Sequence, residues 1–157
     1  MPHAGLLPMS SVIGFDYGKC RIGVAIGVPG IGTANPLTTL TVPTSGTPWD
    51  KIDDIIRQWD PHTLVVGRIE HATQDDGLIK KRIRNFCKAL HSRYQLPVET
   101  VDESWTSARA YEVLRDLRSQ GWRKKISKAD VDKTAAAIIL QSWFACHADP
   151  GTTSRTA

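Results

Sequence analysis

The order of apolar patterns along the chain constrains its fold more than any other feature. Three strand-like segments come first, two further short strands then alternate with helical patterns, and two helical segments follow. The predicted strands are 11–17, 21–28, 36–42, 63–67 and 97–101, and the predicted helices are 50–59, 79–94, 104–120 and 127–147. This order predicts an α/β fold with a mixed five-stranded sheet, in which antiparallel hairpin strands precede parallel ones and helices flank the sheet.

The length of the chain is enough for one hydrophobic core but short for two. At 157 residues we expect a single domain over 11–147, preceded by a flexible N-terminus (1–10) and followed by a disordered tail (148–157). No apolar stretch is long enough to cross a bilayer, and the first residues lack the pattern of a signal peptide. The cysteines, three in number, have no paired spacing, which favours reduced thiols and a cytoplasmic location.

An acidic residue opens the apolar face of the last predicted helix. Asp132 shares helical spacing with Ala135, Ala136, Ile139, Leu140 and Trp143. A carboxylate on a buried face is costly unless it is paired or coordinates a metal, so we expect partners from elsewhere in the chain. Asp16 and Glu103 each follow an apolar run, which places them at the carboxyl ends of neighbouring strands. Three converging carboxylates predict a site for divalent cations.

Such a site has the chemistry that phosphodiester hydrolysis requires. Two metal ions about 4 Å apart can activate a water and stabilise the leaving oxygen, and Mg²⁺ or Mn²⁺ takes carboxylate oxygens as ligands. Each acid also has a structural alternative. Asp16 could stabilise the turn that contains Gly18, a glycine for which we expect a positive φ, and Glu103 could favour the first turn of the following helix. Asp130 has capping-box spacing with Ser127, and we assign it to capping.

The basic residues are unevenly distributed, although the formal net charge is only +4. Six of them and no acid lie within 80–93, and a second set lies within 115–128. Clusters of this kind are typical of proteins that bind polyphosphates, and solvated helix faces are the alternative. The residues predicted to bind nucleic acid are Lys19, Arg21, Arg68, Lys80, Lys81, Arg84, Arg123, Lys124 and Lys125.

Four ordered motifs together resemble the YqgF family of RuvX-type proteins, described as candidate Holliday junction resolvases and as candidate pre-16S rRNA nucleases. The motifs are 15–25 (FDYGKCRIGVA), 64–67 (LVVG), 101–106 (VDESWT) and 132–140 (DKTAAAIIL). The likeness spans about residues 11–145. It implies a ribonuclease-H-like fold and a cytoplasmic metal-dependent nuclease, with Asp16, Glu103 and Asp132 as the acidic site residues.

The sequence departs from the family pattern at three places. Segment 67–77 is longer and more polar than usual and lacks proline, Ser104 replaces an arginine, and Lys19 replaces a threonine. The first departure bears on substrate handling, and the second removes a cation beside the expected metals. Lys19 or Arg68 is a candidate to replace that charge. All three expected carboxylates are retained.

Several functions are compatible with these patterns. The leading hypothesis is a Mg²⁺- or Mn²⁺-dependent nuclease that matures the 5′ end of precursor 16S rRNA, and a resolvase of branched DNA is its close alternative. A nucleotide-binding ATPase is less favoured, because actin-like enzymes use two such domains. A non-catalytic nucleic-acid-binding regulator is the third class. No membrane partner is expected, and the oligomeric state is open between a monomer and a weak homodimer.

Overall fold

A central sheet flanked by helices forms the part of the chain that the computed structural model describes, which is 11–30, 32–68, 76–102, 106–119, 121 and 126–147. The strands are β1 (Val12–Tyr17), β2 (Arg21–Val28), β3 (Thr33–Thr41), β4 (Thr63–Arg68) and β5 (Val98–Asp102). The helices are α1 (Trp49–Trp59), α2 (Asp76–Tyr94), α3 (Thr106–Ser119) and α4 (Lys128–His147). Every strand and helix predicted from the sequence is present, with boundaries that agree to within three residues.

The sheet combines antiparallel and parallel pairing, as the sequence predicts. Its strand order is β3-β2-β1-β4-β5. The β1–β2 and β2–β3 pairs are antiparallel, whereas β1–β4 and β4–β5 are parallel. Strand β1 therefore lies at the centre, and its carboxyl end meets those of β4 and β5 at one edge of the sheet, which we call the carboxyl edge.

The start of β3 was predicted three residues too late, at Pro36. The strand begins at Thr33 and continues through Pro36, which pairs with Ala25 next to a register shift between Val24 and Ala25. Proline has no amide to donate, so it is tolerated in sheets at edge strands and bulges. Because β3 is an edge strand and carries the irregularity, the proline does not end it.

The two faces of the sheet have different cores. The face that packs against α1 and α2, which we call the α2 face, buries large side chains such as Ile13, Phe15 and Phe86. The opposite face, which we call the α4 face, combines Val12 and Ala25 with apolar residues of α4. Since side chains alternate along a strand, Asp16 belongs to the α4 face. Its neighbour in the strand, Tyr17, packs against the α2-face core.

Glycines let α4 approach the β1–β2 hairpin closely. A Cβ atom at Gly23 would lie 2.0 Å from the carbonyl oxygen of Asp132, and one at Gly14 would lie 3.2 Å from that of Ala136. At Gly27 the added atom would lie 2.7 Å from the Phe144 ring. The α4 face of the hairpin therefore accommodates the main chain of the helix and the Phe144 ring only because these strand positions carry no side chain.

Gly18 is required for a reason other than the one expected. The glycines with positive φ in the described residues are Gly32, Gly46 and Gly121, so the expected positive φ at Gly18 is wrong. The Gly18 amide instead donates to the Arg21 carbonyl oxygen at 2.9 Å. A Cβ atom at Gly18 would lie 2.7 Å from that oxygen. Close approach within the β1–β2 turn thus excludes a side chain.

Cys20, Cys87 and Cys146 are free thiols, as expected. None of the described helices combines the length and apolar character that a bilayer crossing requires. The predicted flexible N-terminus (1–10) and disordered tail (148–157) lie outside the described residues.

A polar cluster joins α1 to the end of α2. Asp53 accepts two hydrogen bonds from Arg93, both 2.9 Å long, and one of 2.5 Å from the Tyr94 hydroxyl. The Arg93 guanidinium also lies 5.0 Å from the centre of the Trp49 ring. The bonds from Arg93 and then Tyr94 lower the pKa of Asp53 to about 2. Burial, followed by the bond to Asp53, raises the pKa of Tyr94 above its ordinary value.

Replacing Gly23 by alanine should strongly destabilise the fold. The new Cβ would overlap the Asp132 main chain, and neither backbone can move without disturbing the packing of α4. We expect the free energy of unfolding to fall by about 3 kcal/mol in urea denaturation. Gly77, on α2, is the matched control because a Cβ there meets nothing within 4 Å. Gly77→Ala should be neutral or stabilising, and equal stabilities for the two variants would contradict the packing described here.

Acid unfolding should report the contacts of Asp53. Its folded pKa of about 2 lies below the ordinary value of 3.8, so its ionised form contributes stability above about pH 4 that is lost as the pH falls towards 2. Asp53→Asn should lower the free energy of unfolding by about 1 kcal/mol at neutral pH and flatten the acid limb of a Tm-against-pH curve. Asp54→Asn is the control, since Asp54 is exposed and pairs with the equally exposed Arg57. Identical acid limbs in wild type and Asp53→Asn would refute this role.

Candidate active site

Asp16 lies at the carboxyl edge of the sheet, on the α4 face. In the antiparallel register it is directly opposite Gly23 of β2, and residues opposed in this way share a face at a Cβ separation of about 5 Å. On the other side, the pairing of Phe15 with Val66 brings Asp16 beside Gly67, near the end of β4. The Asp16 side chain is partly exposed. This is the position that the sequence predicts for it.

Asp132 reaches the same place from α4. It is in the second turn of the helix, and its main-chain oxygen is the atom that excludes a side chain at Gly23. Gly23 is therefore a shared neighbour, opposed to Asp16 within the sheet and covered by Asp132 from the helix. The fold thus places two acidic residues, more than one hundred residues apart in sequence, next to the same glycine.

Arg21 is the direct partner of Asp132. Its Nε donates a 2.5 Å hydrogen bond to Oδ2 of the carboxylate, and the two side chains are 37% and 21% exposed. This hydrogen bond, together with the charge of Asp132, raises the pKa of Arg21 above its ordinary value. Arg21 and Gly23 are two residues apart on β2, so both belong to the α4 face. The costly half-buried carboxylate is therefore compensated by a cation of its own chain.

Sequence reasoning missed this ion pair. It expected the partners of Asp132 to be other acids that share a metal, and it assigned Arg21 to nucleic-acid binding. One signal for the pair was available in the sequence. Arg21 lies on the same side of β2 as Gly23 and Ala25, and this side packs against α4. Which turn of the helix covers which strand position depends on tertiary packing, and spacing within one segment does not encode it.

Glu103, the third expected acid, lies outside the described residues. Val101, two positions before it, packs against the α4-face core. Asp102, between them, pairs in register with Arg68 of β4. Across the described parts of the chain, no group of three or more His, Cys, Asp or Glu side chains is arranged to hold a metal ion. The described geometry thus brings two of the three expected acids to one place.

The two described carboxylates suit a hard divalent cation. Mg²⁺ and Mn²⁺ prefer oxygen ligands, and Mg²⁺ is commonly bound by one or two carboxylates together with water and substrate phosphate. Asp16 and Asp132 are both partly exposed at the edge of the sheet, where water and a phosphate could complete a coordination shell. Asp130 is different, because it forms a capping box with Ser127 at the start of α4. The Asp130 amide donates to the Ser127 hydroxyl, and the Ser127 amide and hydroxyl donate to the Asp130 carboxylate. Its assignment to capping agrees with this geometry.

The predicted nucleic-acid-binding residues occupy several places. Lys19 is exposed in the β1–β2 turn, close in sequence to Arg21. Arg68 ends β4 on the α2 face and donates to the Thr100 hydroxyl at 2.9 Å. Three others lie on α2, namely Lys80, Lys81 and Arg84. The last three, Arg123, Lys124 and Lys125, lie outside the described residues.

Comparison with protein families gives one family for this chain. The model of the RuvX family, described as Holliday junction resolvase, matches residues 10–146. A protein of Nitrosococcus oceani, named as a candidate pre-16S rRNA nuclease, is 40% identical over 133 residues, which are 85% of each chain. A Legionella pneumophila protein of the same name is 38% identical over 140 residues, 88% of this chain and 97% of its own.

Comparison with solved structures supports the fold. The RuvC protein of T. thermophilus in complex with a Holliday junction substrate aligns with a TM-score of 0.55 at 16% identity, covering 87% of this chain and 95% of its own. The Fowlpox virus resolvase in complex with Holliday junction DNA aligns with a TM-score of 0.57 at 10% identity, covering 88% and 99%. At such identities these likenesses concern the fold alone. The expected ribonuclease-H-like architecture is confirmed.

A double-mutant cycle on Arg21 and Asp132 should measure their ion pair. In urea unfolding without divalent cations, Arg21→Gln, Asp132→Asn and the double variant should give a coupling free energy of about 1 kcal/mol, because a charge-assisted hydrogen bond to a half-buried carboxylate is lost. The cycle on Arg57 and Asp54, an exposed pair one helical turn apart, is the control and should give at most about 0.5 kcal/mol. Equal coupling in both cycles would show that burial adds nothing at the site.

Proposed function

The chain belongs to the RuvX family, and we propose that it is a metal-dependent nuclease that hydrolyses phosphodiester bonds during maturation of the 5′ end of precursor 16S rRNA. One observation carries this proposal: Asp16 and Asp132 are both neighbours of Gly23 at the carboxyl edge of the sheet. Sheets of this class place their sites beyond the carboxyl ends of the strands.

In this proposal, Asp16 and Asp132 hold one or two divalent cations through their carboxylate oxygens. Bound Mg²⁺ or Mn²⁺ would supply an activated water and charge stabilisation on the leaving oxygen. Arg21 positions Asp132, because the bond from its Nε to Oδ2 restricts rotation of the carboxyl group and so sets the direction of Oδ1. The positive charge of Arg21 also reduces the repulsion between the site and an incoming phosphate.

We assign the third metal ligand to Glu103. It directly follows β5, and Val101 is in contact with the α4-face core. If the two-residue alternation of the strand continues, position 103 faces the same side as Asp16. Asp102 is on the α2 face with Thr100 by the same alternation, so we do not assign it as a metal ligand.

The substrate assignment rests on the family. The curated relatives named above are candidate pre-16S rRNA nucleases, and this supports precursor rRNA as substrate and the cytoplasm as the place of action. A resolvase acting on branched DNA is the second candidate, favoured by the description of the family and by the junction-bound neighbours. In either case Lys19, which is exposed in the turn that follows β1, is our candidate to replace the arginine that the family pattern has at position 104.

Substitution of the acids tests this function directly. Asp16→Asn and Asp132→Asn should each reduce Mg²⁺- or Mn²⁺-dependent cleavage of a precursor 16S rRNA fragment by at least about 100-fold while the protein remains folded, because each removes an anionic metal ligand. Asp116→Asn, at an exposed position of α3, is the control and should retain activity. Both acid variants should also lose the rise in Tm that the metal gives wild type.

Two outcomes would change the assignment. Full activity in both acid variants would show that these carboxylates do not hold the catalytic metal. Cleavage of a four-way DNA junction in preference to the rRNA fragment would replace the rRNA substrate by branched DNA, without changing the assignment of the site.

A further inference from the structure

A groove lies at the carboxyl edge of the sheet, on the face opposite to Asp16 and Asp132. It encloses about 480 Å³ between α2 and the ends of β4 and β5. Its polar lining consists of Lys80, Arg84 and Lys88 from α2 and Arg68 and Thr100 from the strands. Four of these five side chains are basic. This groove belongs to the α2 face, because Thr100 and Arg68 alternate with residues of the α4 face.

The α2 side of the groove is a regular row of cations. Lys80, Arg84 and Lys88 follow one another at intervals of four residues, which spaces them about 6 Å apart along a stripe of about 12 Å. Like charges at this spacing destabilise a helix, and no acid follows Asp76 within α2, so Arg84 and Lys88 have no acidic neighbour three or four residues away on the helix. An ordinary solvated helix face mixes both signs of charge. A row of one sign over an apolar floor that includes Ile83 is better explained by a polyanionic ligand.

Two of these cations are exposed. Arg84 and Lys88 are open to solvent, and no ion pair within the described parts of the chain involves either of them. On the sheet side, Arg68 donates to the Thr100 hydroxyl at 2.9 Å. That bond uses Thr100 as an acceptor, so its own hydroxyl hydrogen can still be donated. The groove thus presents cations along one wall and a hydroxyl donor on the other.

The groove lies close to the candidate active site along the sheet edge. Phe15 of β1 pairs with Val66 of β4, so Asp16 is beside Gly67, and Arg68 is the next residue along β4. Arg68 and Asp16 therefore occupy neighbouring positions of adjacent strands but opposite faces. A nucleic-acid strand that crosses the carboxyl edge from the side of the carboxylates would reach the groove at Arg68.

We propose that this α2-face groove binds the sugar–phosphate backbone of the substrate strand that flanks the scissile bond; this inference rests on the proposed nuclease function. A row of three cations matches successive phosphates of a strand better than a single anion. The groove adds Lys88 and Thr100 to the binding residues expected from sequence. It leaves out Lys81, which is exposed but does not line it.

Binding without cleavage tests the groove independently of the reaction. The full chain carrying Asp16→Asn would be titrated in EDTA against a fluorescein-labelled RNA that contains the 5′ end of 16S rRNA and its leader. Arg84→Glu and Lys88→Glu should each weaken binding about 5- to 10-fold and lower the slope of log K against log salt by about 1, as expected for loss of one phosphate contact. Lys51→Glu is the matched control, because Lys51 is an exposed helical lysine outside the groove, and its affinity should change less than twofold.

The outcomes separate this inference from the proposed function. If Arg84→Glu and Lys88→Glu bind RNA as tightly as Lys51→Glu, the groove is not a strand-binding surface, even if the protein cleaves RNA. If both weaken binding as expected and the chain with Asp16 intact cleaves nothing in Mg²⁺ or Mn²⁺, the groove is a strand-binding surface but the nuclease proposal fails. Unchanged Tm in all three charge variants confirms that the affinities compare folded proteins.

Discussion

The contact between the α4 main chain and Gly23 determines the geometry on which the candidate site depends. Helices normally rest on a sheet through layers of side chains. Here the Asp132 carbonyl oxygen lies where a Cβ atom of residue 23 would otherwise be, so the helix is held closer than side chains allow. The side-chain carboxylate of Asp132 is thereby brought close to the β1–β2 pair, which carries Asp16. Any residue larger than glycine would move the acid and destabilise the helix packing at the same time.

This close approach creates an electrostatic problem that Arg21 reduces. Negative charges at one place repel each other, and removing a charge from water costs free energy unless the charge is paired. Arg21 donates directly to Asp132 and comes from the same strand as Gly23. Strand β2 therefore has two roles: Gly23 allows α4 to approach, and Arg21 supplies the positive charge that stabilises the Asp132 carboxylate of α4. The fold thus tolerates the negative charge that the proposed metal site requires.

Much of this arrangement could be predicted from residue patterns, because alternation and helical spacing report which face of each segment is buried. These patterns located the strands, placed Asp16 at the end of β1 and identified Asp132 as an acid at the start of a buried helical stripe. They did not reveal the Arg21–Asp132 bond, the role of Gly18 or the groove that includes Lys88 and Thr100. Each of these depends on contacts between segments, whose register is set by tertiary packing. Proline at position 36 misled the prediction of β3 because its tolerance depends on that strand lying at an edge.

The position of Pro36 has a consequence for self-association. An edge strand with a full set of amide groups is a template on which a second chain can extend the sheet, and such extension leads to aggregation. Strand β3 lacks one amide at Pro36 and is irregular beside it, which interrupts the hydrogen-bonding ladder that an added strand would need. Continuous β-augmentation is thus disfavoured along the border of the sheet farthest from β5.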